Sequence, residues 1–185
     1  MLHLDDFLKE LRAARDLEDL TAIREIVARA LAHPPLAAEK GDPSRGRILH
    51  REDDLMVMHV IVRPGAVSAP HEHRTWAMVG VYEGQEDNTF FRRLKERNTI
   101  ERATGRSVRP GDVLVMGHEV VHEIRNPRSQ PLMALHVYGR DLEATGRLAW
   151  DRDTFKPEPF QMAKHGTVVT AEELAALGKS GGGTN

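Results

Sequence analysis

A chain of 185 residues can build one domain with a full hydrophobic core and is too short for two of ordinary size. Hydrophobic residues make up 40% and charged residues 29%, with a formal net charge of −2, so the clustered basic charge that phosphate binding needs is missing and nucleic acid is not an expected partner. The absence of cysteine removes disulfides, thiolate metal sites and a cysteine nucleophile, and nothing approaches the roughly 18 apolar residues that span a membrane.

The chain opens with acids and an amphipathic pattern, whereas a signal peptide opens basic and turns apolar; the expected location is the cytoplasm. Leu4, Phe7, Leu8 and Leu11, then Leu17, Leu20, Ile23, Ile26, Val27 and Ala30, recur at three- and four-residue steps. That spacing predicts two short helices, broken near Arg15–Glu18 and stopped by Pro34 and Pro35. From Arg47 onward, apolar runs alternate with Pro–Gly, Gly–Asp and Asn–Pro breaks. Strands are expected at Leu55–Val62, Trp76–Tyr82, Thr89–Phe91, Val113–Met116, Val120–Ile124 and Leu132–Tyr138, the pattern of an antiparallel sandwich or barrel. Beyond Gly139 the chain reads as loop, with one late helix over Ala171–Leu177 capped by Thr170.

The densest chemistry lies in Gly65-Ala-Val-Ser-Ala-Pro-His71-Glu-His73. On a strand, side chains alternate between faces, so His71 and His73 point the same way and Glu72 points opposite, out of the site. Imidazole is a common ligand of zinc, copper, nickel and iron(II). Such a pair by itself equally fits a surface accident or a local hydrogen-bonded pair. A third histidine, His122, lies on the far strand of a hairpin that a Pro110-Gly-Asp turn opens and Gly117 interrupts, so it can close over the first two. On the last apolar run, Leu132, Ala134, His136 and Tyr138 share a face, and a buried Tyr–His hydrogen bond would serve as a core feature as well as a catalytic one.

Gly65, His71, His73 and Gly84, followed by Gly111, Gly117, His122 and Asn126, resemble the paired motifs of the cupin superfamily. That resemblance implies an all-β fold, the double-stranded β-helix or jelly-roll barrel, with N-terminal α-helices added. The expected layout is a single domain: helices in 1–35, barrel in 47–139, and a loop-rich segment in 140–185. It also implies one divalent metal on His71, His73 and His122, with iron(II) favoured and manganese, nickel, cobalt or zinc compatible. The glutamate of the first motif falls at Ala77, so three neutral imidazoles would leave the full 2+ charge on the ion and favour an anionic chelating substrate. The His136-Val-Tyr138 run resembles the thiol dioxygenases, which include cysteine dioxygenase and 3-mercaptopropionate dioxygenase. That second resemblance implies Tyr138 and His136 as catalytic residues, Arg47 as the clamp for a substrate carboxylate, and a small anionic substrate and dioxygen as partners, in a monomer or homodimer. Two departures stand out: Ala134 replaces the serine of the family's Ser-x-His-x-Tyr series, cutting the outer relay, and no Cys–Tyr crosslink can form. Other three-histidine members cleave a C–C bond of a diketone or a hydroxylated aromatic acid, and others only bind a ligand.

Overall fold

The computed structural model describes residues 3–34 and 46–166. Helix α1, Leu4–Asp16, places Asp5 and Asp6 in its first turn and Arg15 in its last, matching the helix dipole at both ends. It ends where Glu18 turns into the left-handed region at φ 53°. Helix α2, Leu20–Ala32, starts one residue later, with the Asp19 carboxylate accepting from the Ala22 N–H at 2.9 Å. Phe7, Leu8 and Leu11 of α1 and Ile23, Val27 and Leu31 of α2 form one buried stripe, and this face covers the outside of a sheet.

The strands are β1 Arg47–Glu52, β2 Leu55–Val62, β3 His71–Glu72, β4 Ala77–Glu83, β5 Glu86–Leu94 and β6 Thr99–Val108. They continue with β7 Val113–Met116, β8 Val121–Arg125, β9 Leu132–Tyr138, β10 Leu148–Trp150 and β11 Pro157–Pro159; a four-residue helix α3, Met162–His165, follows. One sheet runs β1-β2-β9-β4-β7 and the other β11-β10-β3-β8-β5-β6, all pairs antiparallel. This is the double-stranded β-helix with two N-terminal helices.

Every residue of β2 is buried because both of its faces are covered. Leu55 and Val57 meet the helices, while Met56, Met58, Val60 and Val62 face the interior between the sheets. The same split runs along β9, where Leu135 and Val137 face the helices and Leu132, Ala134 and Tyr138 face inward. The six expected strands are all present. Beyond Gly139, where loop is expected, β10 and β11 extend the second sheet and carry it up to the site. The late helix over Ala171–Leu177 lies outside the described residues. None of the described helices is long and apolar enough to cross a membrane.

Gly80 marks the closest approach of α2 to β4: a Cβ there would sit 2.7 Å from the Leu31 Cδ2 and 2.9 Å from the Val27 Cγ1. Gly80→Ala overpacks this seam and is expected to lower stability by about 1–3 kcal/mol, read from the urea midpoint. An unchanged midpoint would mean that the helix rides over the sheet without close packing.

Candidate metal centre

Strand β3 is two residues long, and its register sets the site. His71 pairs with His122 on β8 and with Ala149 on β10. His73 follows immediately, and one ligand-capable atom of each of His71, His73 and His122 lies within 4.8 Å of the others. The ring centroids are 4.7–5.1 Å apart, and all three residues are buried. Glu72 points the other way, as expected from the strand period. Its buried carboxylate accepts from Arg74 Nε at 2.7 Å, from Arg93 and from the Leu148 N–H at 3.1 Å, which ties β3 to β5 and to the start of β10. A strand this short has few backbone bonds of its own, so that carboxylate holds the histidines in place.

The imidazoles are set up as neutral ligands. His71 Nδ1–H donates to the Ala69 carbonyl at 2.9 Å and His122 Nδ1–H donates to Asn88 Oδ1 at 2.8 Å, when each ring turns its Nε2 toward a cation. Among the described residues His122 Nε2 is buried with no hydrogen-bond partner, which fits a bare lone pair available to an ion. Burial pushes the His71 pKa down to about 3, with Arg147 adding repulsion. Burial, and then the neighbouring histidines, likewise hold His73 and His122 well below the ordinary value. The donor set fits a divalent ion that accepts imidazole. Ala77, where a carboxylate ligand would fall, faces the interior beside Tyr138 in register, so a methyl group stands there instead.

The triad opens onto a cavity of about 50 Å³. An ordered water needs roughly 10–15 Å³ on this scale, so the space suits a ligand of a few heavy atoms. His136 and Tyr138 line it, with His136 Nδ1 and the Tyr138 hydroxyl 2.8 Å apart. Tyr138 also packs against His73, ring centroids 5.0 Å apart, and burial pushes its phenol pKa well up, so it is a neutral hydroxyl at working pH.

Arg47 is not part of this wall. It pairs in register with His59, on the face of β2 opposite Met58 and Val60, which do line the cavity. The cation that reaches the cavity is Arg147. Its guanidinium lies 3.5 Å above the Phe160 ring, and among the described residues it has no ion-pair partner. Burial lowers its pKa to about 10, which leaves it charged near neutrality. Nothing in the pattern around Arg147 marks it, because it sits in the stretch after β9 that reads as loop. Asn88 and Glu86 were also missed, although the alternation Glu86, Asn88, Phe90 places them on the inward face of β5 with Phe90 stacked on His122. Asn126 fixes a turn, its amide bonded to the Val62 and Gln130 carbonyls.

Fold and site together define a β-barrel with a buried histidine triad that could hold a metal ion. A family model described as Cupin matches residues 43–173, and the chain belongs to the cupin family. Solved structures similar to it include a double-stranded β-helix protein from Klebsiella pneumoniae, 15% identical over 61% of this chain and 90% of that one, with a TM-score of 0.46. KdgF from Halomonas sp. is 23% identical over 56% of this chain and 86% of its own, TM-score 0.42. An oxalate oxidase in complex with the substrate analogue glycolate is 17% identical over 60% of each chain, TM-score 0.42.

The depressed histidine pKa values set a pH dependence. An unfolded histidine protonates near 6.5 and the folded ones resist down to about 3, so across this window the unfolded chain binds more protons and stability rises with pH. The urea midpoint of metal-free protein is therefore expected to fall as pH drops from about 6.5 toward 4, and less steeply in His122→Asn. Equal slopes in the two proteins would contradict a neutral buried triad.

Proposed function

We propose that this protein is a mononuclear iron(II) dioxygenase that oxidises a small thiol-bearing acid to its sulfinate. The observation that carries the reading is one small cavity lined by three neutral imidazoles, the Tyr138 hydroxyl and an arginine without an ion-pair partner among the described residues. Both the undiminished charge of the triad's ion and the Arg147 guanidinium favour an anionic substrate, and the cavity size limits it to a few atoms.

Iron(II) would be held by His71, His73 and His122 and would supply the one-electron chemistry that dioxygen needs to react with a closed-shell thiolate. The overall reaction, thiolate plus dioxygen to sulfinate, forms two S–O bonds and breaks the O–O bond, and sulfur gives up four electrons. In this reading Arg147 binds the substrate carboxylate through charge-assisted hydrogen bonds, kept planar by its stacking on Phe160. Tyr138 lines the same cavity, oriented by its hydrogen bond with His136, and as a neutral hydroxyl it hydrogen-bonds the substrate there and holds it in place. The apolar wall of Met58, Val60 and Ile124 excludes water around the reacting sulfur.

The test is oxygen uptake by iron-loaded protein with cysteine, 3-mercaptopropionate and cysteamine. One sulfinate per dioxygen is expected with at least one of the two acids, and little with cysteamine, which lacks the carboxylate. Arg147→Ala should raise KM for the acid about 10- to 100-fold, the loss of a hydrogen bond to a charged group, with metal content unchanged. Tyr138→Phe should lower kcat and keep the metal. No uptake with any thiol, against uptake with diketones or salicylates, would replace the substrate class.

A further inference from the structure

The serine that would back His136 is the buried Ala134, and a buried carboxylate stands near the outer nitrogen of His136 instead. His136 Nε2 lies 3.5 Å from Glu86 Oε2, too far for a formed hydrogen bond, and among the described residues both of these buried atoms lack a hydrogen-bond partner, which leaves each available to the other. Glu86 is fully buried on β5. Its other oxygen, Oε1, accepts from Asn88 Nδ2 at 3.0 Å, and Asn88 Oδ1 accepts from His122 Nδ1–H at 2.8 Å. One carboxylate thus stands at the head of two chains. One runs through Asn88 to His122, and the other through His136 to Tyr138.

We propose that Glu86 is a positioning residue that sets the tautomers of His122 and His136 together. The proposal rests on reading His122 as a metal ligand through Nε2. A ligand bound through Nε2 carries its proton on Nδ1, so Asn88 must offer its oxygen to His122 and its N–H2 to Glu86. As a carboxylate, Glu86 can accept on both oxygens, from Asn88 on one and from His136 Nε2–H on the other. His136 then has a bare Nδ1, which accepts the Tyr138 O–H, and the lone pairs of the Tyr138 oxygen are left for the cavity. Tyr138 therefore meets its substrate as a hydrogen-bond acceptor. No neutral amide can replace Glu86, because Asn88 and His136 both present donors and an amide has one oxygen.

Long-range 1H–15N histidine spectra of zinc-loaded protein, with His136 assigned through His136→Asn, read the tautomers without substrate. The expected result is a proton on Nε2 of His136 and on Nδ1 of His122. A proton on Nδ1 of His136 overturns the proposal, and this measurement needs no substitution at Glu86. In Glu86→Gln, either His136 moves its proton to Nδ1, or Asn88 turns over and zinc affinity falls about 10- to 100-fold. If neither changes, the proposal fails. Absence of thiol oxidation leaves both readouts standing, so the two failures are distinguishable.

Discussion

One backbone pairing decides where the chemistry sits: His71 of β3 opposite His122 of β8. Side chains of directly paired residues share a face, so this register puts two imidazoles side by side, and the strand period brings His73 to the same face. A slip of one residue would turn the ligands outward and bring Glu72 in. Two residues of strand cannot hold such a register through their own ladder. The holding is done by Glu72, whose carboxylate takes Arg74, Arg93 and the Leu148 amide, and by Trp150, whose N–H donates to the Pro70 carbonyl at 2.8 Å.

The two buried acids near the triad are handled in opposite ways. Glu72 faces away from the cavity, and its hydrogen bonds to two arginines keep its pKa below the ordinary value in spite of burial. Glu86 faces the interior, and among the described residues no arginine pairs with it: its Oε1 accepts from the Asn88 amide, and His136 Nε2 lies 3.5 Å from its Oε2. The first braces the strand that carries the ligands, and the second meets their outer nitrogens. Among the described residues no carboxylate joins the triad, so a 2+ ion there would be balanced by whatever anion enters from the cavity. Arg147, which lines the same cavity, adds to that demand.

Much of this was legible in the sequence where a period and a chemistry coincided. The helical stripe from Phe7 to Ala30 and six strands follow from spacing, the set His71, His73, His122, His136 and Tyr138 follows from spacing joined to the family resemblance, and the structure brings those five side chains to one cavity. The rest fails for physical reasons. The edge strand β6 is mostly polar and exposed, so it carries no apolar signature. β10 and β11 are three residues each, held by the partners they find and not by propensity. Arg47 was placed by analogy of position, and its partner in the ladder, His59, puts it on the wrong face. Arg147 reaches the cavity from an irregular stretch whose path is fixed only by long-range pairing, such as Phe160 N–H on the Arg147 carbonyl at 3.1 Å.

Metal analysis of protein purified without chelators tests most directly whether three imidazoles hold a single ion here. One equivalent of a divalent transition metal per chain is expected, abolished in His122→Ala while the fold, read by circular dichroism, persists. Substoichiometric metal after reconstitution with iron(II), or full retention in the variant, would contradict the centre on which the rest stands.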